Sequence, residues 1–201
     1  ALSVPYSPPG ERMFLDVMHD VFTKRGLFFY QIYFQKEGVA EAELERDPRD
    51  TIRRFYYAIS GDAPEGTWPK DKPNTMGVLD RLPDPDPFPA WLSEEDLDYY
   101  EAEFKASGFR GPLNRYRNHP RDHAYLSFRD DLKIHQPALF IGGDKDLVLK
   151  MVPGLDVVER MRKYVPNLQT GVVLEGVGHW TQQERPDAVN DLLVDWLKKQ
   201  A

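Results

Sequence analysis

An aspartate and a histidine that each close a short apolar run are the residues of this sequence best suited to moving a proton. Asp144-Lys-Asp146 follows the run Pro137-Ala-Leu-Phe-Ile-Gly-Gly143, and Gly176-Val-Gly-His179 follows the run Gly171-Val-Val-Leu174. Short continuous apolar runs bounded by glycine are how a strand buried on both faces of a parallel sheet reads in sequence. Side chains just past two such strands emerge at the carboxyl edge of the sheet, where α/β proteins place their sites. A carboxylate there that accepts a hydrogen bond from one imidazole nitrogen fixes the tautomer and leaves the other nitrogen free as a base. Taken singly, each residue has a plainer reading: Asp146 as a cap for the next helix, His179 as a buried loop histidine. Asp144 competes with Asp146 for the part of the acid.

The elements that must position this pair follow from periodicity. After residue 136 the order is strand, helix with Leu155, Val158 and Met161 on one face, strand, and a last helix in which Val189, Leu192, Leu193 and Trp196 share a face. That alternation specifies a parallel α/β sheet. Upstream the texture is different. Gly38 to Gly61 reads as helix, with Asp47 as cap, Pro48 in the first turn, and Ile52, Phe55, Tyr56 and Ile59 on one face. Residues 62–90 are rich in proline and glycine and read as loop. Ser93 and Asp96 approximate a capping box ahead of Leu97, Tyr100 and Phe104, with Gly108 as the stop. Ala1 to Pro5 read as the end of a buried strand running into the loop Ser7-Pro8-Pro9-Gly10. The expected division is residues 1–10 as strand end and loop, 11–132 as a helical insertion with long loops, and 133–201 as the α/β segment. A chain seldom begins inside a strand, so more polypeptide is expected before residue 1.

Composition narrows the partners. With 41% apolar and 29% charged residues the chain has the make-up of a packed globular protein, not of a disordered one. The net charge of −7 is spread among basic residues with no Lys/Arg run, which argues against nucleic acid. No apolar stretch approaches the roughly 20 residues of a membrane span, so no membrane partner is expected. There is no cysteine, hence no disulfide framework and no thiolate chemistry, and the five histidines show no metal-ligand spacing. A cytoplasmic location is consistent with this composition.

Two pairs of segments resemble a known family. Gly142-Gly-Asp-Lys-Asp-Leu-Val148 followed by Gly178-His-Trp-Thr-Gln182 resembles the acid and histidine loops of α/β-hydrolases, with a helix and a strand between them in the family's order. The family pattern puts the acid at Asp146 and the base at His179. Tyr30-Gln-Ile-Tyr-Phe-Gln35 and Arg110-Gly-Pro-Leu-Asn-Arg-Tyr-Arg-Asn118 resemble the cap segments that supply a tyrosine pair in soluble epoxide hydrolases. The resemblance falls on Tyr30 and Tyr116, with Tyr33 as the rival for the first; Arg115 stands where a Trp often precedes the second. A phenol suits the task because it donates one strong hydrogen bond and has a pKa near 10, close to what an opening epoxide's alkoxide requires.

The resemblance implies the C-terminal part of an α/β-hydrolase fold carrying a helical cap. It also implies hydrolysis of epoxides to vicinal diols through an alkyl ester, with water as co-substrate and no cofactor or metal. The family's nucleophile, an aspartate in a Gly-x-Asp-x-Gly elbow, has no counterpart among the 201 residues, nor has the serine elbow Gly-x-Ser-x-Gly. The implied partner is therefore the N-terminal half of the same core, and the chain by itself is expected to be inactive. Phe28, Met18, Trp91, Met151 and Trp180 are the expected pocket liners, and a homodimer is left open. A haloalkane dehalogenase, an esterase and a non-catalytic binding relative remain the alternatives; the tyrosine pair disfavours the first, and the Asp146 and His179 pair disfavours the last.

Overall fold

The computed structural model describes residues 1–86, 88–151 and 154–200. They form two compact units: one of Ala1–Pro8, Ile59–Pro64 and Asp130–Ala201, the other of Pro9–Ala58 and Glu65–Arg129. The segment 59–64, which sequence periodicity attaches to the preceding helix and loop, thus belongs with the α/β unit.

The second unit is helical, with α1 (Phe14–Val21), α2 (Tyr30–Tyr33), α3 (Val39–Leu44), α4 (Pro48–Ala58), α5 (Glu94–Ser107), α6 (Arg110–Arg117) and α7 (His119–Leu126). The helix expected from Gly38 to Gly61 is two helices, because Pro48 opens a new one: the Asp47 carboxylate accepts from the Asp50 amide at 3.0 Å, and Ile59 lies past the end. The capping box of α5 forms as expected, Ser93 Oγ accepting from the Asp96 amide at 3.1 Å while the Asp96 carboxylate accepts from the Ser93 amide at 2.9 Å. Leu97, Ile52, Leu44, Leu113 and Val78 lie together in the core of this unit. Among the described residues, 62–90 hold no helix or strand. Much of this loop is held by Lys72, only 2% exposed, whose ammonium donates to the Val78 carbonyl at 2.8 Å and lies 4.7 Å from the Phe28 ring centroid.

The other unit contains β1 (Ala138–Gly143), α8 (Val157–Arg162), β2 (Leu168–Leu174), α9 (Thr181–Glu184) and α10 (Pro186–Lys198). β1 and β2 pair in parallel, Ile141 opposite Val172 and Gly143 opposite Leu174. Alternation along β1 serves both faces: Phe140 packs with Met161, Val165 and Leu168, while Leu139 and Ile141 pack with Val189, Leu174, Leu192 and Trp196. Leu193, expected on that face of α10, is instead 37% exposed. Leu155 precedes α8, whose cap is Asp156, its carboxylate accepting from the Val158 and Glu159 amides at 3.0 Å. The strand expected at residues 1–5 is reduced to one parallel bridge between Leu2 and Ile141, because Ser3 adopts φ 59° and turns the chain away.

Candidate active site

In the α/β unit the two strand-end loops meet. Asp146 is fully buried, and its Oδ2 lies 2.9 Å from His179 Nδ1. The other oxygen, Oδ1, accepts from the Val148 amide at 2.8 Å, so both carboxylate oxygens are engaged and the group cannot rotate without breaking a bond. His179 keeps 21% of its side chain exposed. With Nδ1 directed at a carboxylate the proton sits on that nitrogen, and Nε2 carries the lone pair that can take a proton. The Trp180 indole stands edge-on to the imidazole at 5.1 Å.

In the helical unit, Tyr30 at the start of α2 and Tyr116 in α6 pack ring against ring, centroids 5.6 Å apart at 82°. The rival Tyr33 is taken elsewhere: its hydroxyl donates to Glu43 Oε2 at 2.7 Å, and burial, then that carboxylate, push its pKa up. Burial likewise raises Tyr116, with the Arg115 charge opposing. Its backbone is fixed on both sides. Gln35 Nε2 donates to the Tyr116 carbonyl at 3.1 Å, and the next residue, Arg117, makes a bidentate pair with Glu41 at 2.6 and 2.9 Å that holds this carboxylate at about 2. Of the expected liners, Phe28 lies in the core of this unit beside Lys72 and Tyr33, Met18 on α1 and Trp91 before α5 are part-buried, and Met151 is exposed in the loop after β1. No three His, Asp or Glu among the described residues are grouped to hold a metal ion, and no helix among them is long and apolar enough to cross a membrane.

No family model matches the chain. It is 38% identical over 201 residues to epoxide hydrolase A of Mycobacterium tuberculosis, covering 98% of this chain and 60% of that protein. It is 37% identical over 200 residues to bifunctional epoxide hydrolase 2 of Rattus norvegicus, covering 98% of this chain and 34% of that one. The crystal structure of epoxide hydrolase A from Mycobacterium thermoresistibile superposes with a TM-score of 0.87 at 39% identity, over 98% of this chain and 60% of that one. An epoxide hydrolase from an endophytic Streptomyces gives 0.85 at 43% identity, over 98% and 59%. The relatives it matches are epoxide hydrolases, and it shares part of their α/β-hydrolase fold. It spans about three-fifths of the mycobacterial relative's length and about a third of the rat protein's.

Several residues that hold the acid and histidine loops in place carry no motif in the sequence. Glu184, buried in α9, accepts from three backbone amides: Gly61 and Gly178 on Oε2, both at 2.8 Å, and Trp180 on Oε1 at 3.0 Å. It therefore clamps the histidine loop to the 59–64 segment, whose Ile59 carbonyl also accepts from the His179 amide at 3.0 Å. Asp144, the decoy for the acid, ties the two loops together by accepting from the Gly176 amide at 2.7 Å. Ser3 Oγ donates to the His179 carbonyl at 2.6 Å. Two glycines are required by close approach: a Cβ on Gly143 would stand 2.1 Å from the Val177 carbonyl, and one on Gly178 would stand 2.4 Å from the Gly61 nitrogen. The only sequence signal for Glu184 was a carboxylate placed just after a glycine-rich loop that needs acceptors for its amides.

Proposed function

We propose that the chain forms the C-terminal core segment and cap of an epoxide hydrolase that converts small-molecule epoxides and water to vicinal diols. The Asp146 and His179 pair is common to many hydrolases, so the observation that carries the reading is the edge-to-face pairing of Tyr30 with Tyr116 in the helical unit.

In the proposed reaction a carboxylate supplied from outside these residues attacks an epoxide carbon. The C–O bond of the ring breaks as the ester bond forms, and Tyr30 and Tyr116 donate hydrogen bonds to the oxygen that becomes an alkoxide, one phenol passing its proton to it. Then His179 Nε2 takes a proton from water, which attacks the acyl carbon of the ester. Asp146 stabilises the imidazolium, the carboxylate is regenerated as the diol departs, and the proton taken up by His179 is released to solvent while the tyrosinate regains one, which restores the starting state. Phe28, Met18, Trp91, Met151 and Trp180 are proposed to shape the pocket. The N-terminal half of the core is the proposed structural partner, and the cytoplasm, on the cysteine-free composition, the proposed location.

In the full chain, changing either tyrosine to Phe should slow ester formation by about 10² to 10³ fold, the usual effect of removing one oxyanion donor, and changing both should leave almost no activity. His179→Gln should spare attack and block hydrolysis, so that mass spectrometry after mixing with an epoxide finds the protein heavier by the mass of that epoxide. Normal turnover by the His179→Gln protein, with no adduct, refutes the assignment.

A further inference from the structure

Behind the tyrosine pair lies a relay of side chains that the proposed chemistry does not use. Gln31, 9% exposed, donates through Nε2 to the Tyr30 phenol oxygen at 2.6 Å, and its Oε1 lies 2.9 Å from His119 Nε2. Its backbone carbonyl accepts from Gln35 Nε2 at 2.7 Å, the same nitrogen that reaches the Tyr116 carbonyl, so one amide ties both tyrosine-bearing segments to this relay.

A primary amide donates from one end and accepts at the other, and its direction decides what the phenol receives. With nitrogen toward Tyr30 the phenol oxygen accepts, which polarises its O–H bond and leaves its single proton for an acceptor on the other side. The reversed amide would present Oε1 and take that proton itself. His119 chooses between the two. An imidazole protonated on Nε2, and equally the imidazolium, is a donor at that atom and requires Oε1 to face it; only the tautomer protonated on Nδ1 would accept the reversed amide. The part-buried ring packs against Phe14 and Tyr116, and desolvation, then the Arg115 charge, push its pKa down, so the neutral ring is the form that matters near pH 7.

We infer that Gln31, oriented by His119, is a positioning residue for Tyr30: it directs the phenol's proton toward the epoxide oxygen and makes the phenol a stronger acid. This rests on the reading of Tyr30 as a donor to substrate. The test separates the two by following the phenol directly, in the full chain with ¹³Cζ-labelled tyrosine and no epoxide present. The Tyr30 resonance is assigned by its loss in Tyr30→Phe. Tyr30 packs against Tyr116, whose ring in turn meets His119, and both residues are retained in the first variant.

Gln31→Glu keeps size and the His119 contact but offers the phenol an acceptor. Tyr30 should then titrate at higher pH than in the parent, and ester formation in single turnovers should fall about ten- to a hundredfold while ester hydrolysis is unchanged. Gln31→Met, which removes the donor without adding charge, should move the titration the same way by less, and it decides the matter if the first variant does not fold. His119→Leu should also raise the titration, and His119→Gln, which restores a side-chain N–H, should bring it back toward the parent. An unmoved Tyr30 titration in the Gln31 variants overturns the inference. A Tyr30→Phe protein that forms ester at the parent rate overturns the underlying reading and is recognised separately.

Discussion

Lys72 shows how a single charge can stiffen a loop and burden the fold at once. Its ammonium is enclosed by Val78 and the Phe28 ring, and burial pushes its pKa down to about 8, with Asp80 and Glu43 opposing and Arg81 assisting. In the unfolded chain it returns to an ordinary lysine value near 10.5. Between those two values the unfolded state binds the proton that the native state has lost, so stability rises with pH across the window; below about pH 8 both states are charged and the burial penalty is felt in full. Lys72→Met keeps the stem and removes the penalty. Urea unfolding at pH 7.5 and at pH 10 should therefore show the parent gaining on the Met variant by up to roughly 3 kcal/mol. A gap that does not change with pH would count against a buried, protonated Lys72. At this scale the sequence was most informative where chemistry has a motif: Asp146 and His179 could be named from the loops that carry them. Glu184, Asp144 and Gln31 could not be read in the same way, because each also needs a partner that only the fold brings near: Gly61 for Glu184, Gly176 for Asp144 and His119 for Gln31.

At the scale of elements, the histidine loop is held less by its own conformation than by α9. The Glu184 carboxylate satisfies three amides, in one buried bond to Gly178 and two part-buried bonds to Gly61 and Trp180, and a buried amide left without an acceptor costs about 1–3 kcal/mol. Glu184→Gln replaces one acceptor oxygen by a donor pointing at an amide. The expected result is a loss of about 2–4 kcal/mol on chemical denaturation, with ester hydrolysis slowed more than ester formation in single turnovers, since His179 moves with its loop. Equal slowing of both steps would assign Glu184 to general stability instead. β1, α4, α5 and α10 were legible because each carries an apolar run or a periodic face long enough to read. The exceptions share a cause. The break at Pro48 left the apolar periodicity of 38–61 intact while dividing the helix, and residues 59–64 have no periodicity of their own to show that the Ile59 carbonyl accepts from His179. Leu193 shows that a face shared on paper extends further around a helix than the sheet can cover.

For the whole molecule, the connectivity and the two cores point to unequal stability. The chain leaves the α/β unit after Pro8, returns for Ile59–Pro64, and comes back for good at Asp130, so the β1 bridge to Leu2 and the clamp on Gly61 both close long intervening segments. Closing them costs chain entropy before the contacts repay it. The helical unit, by contrast, has a larger described cluster of buried apolar residues, whereas the α/β unit divides its core between the two faces of a two-stranded sheet. A parallel sheet of two strands is marginal unless further elements cover it, and Val173 of β2 and Val194 and Leu197 of α10 are left exposed. Residues 1–201 produced alone should accordingly lose protection in the α/β unit first. Amides of Phe140 and Ile141 in β1 should exchange faster than those of Ile52 in α4 and Leu97 in α5, urea should reveal an early transition from the α/β unit, and no diol should form from an epoxide. In the full chain the β1 amides should become at least as protected as those of α4. Protection of β1 in the 201-residue piece equal to that of α4, with one cooperative transition, would show that the two strands need no further neighbours and would defeat the argument from sheet coverage.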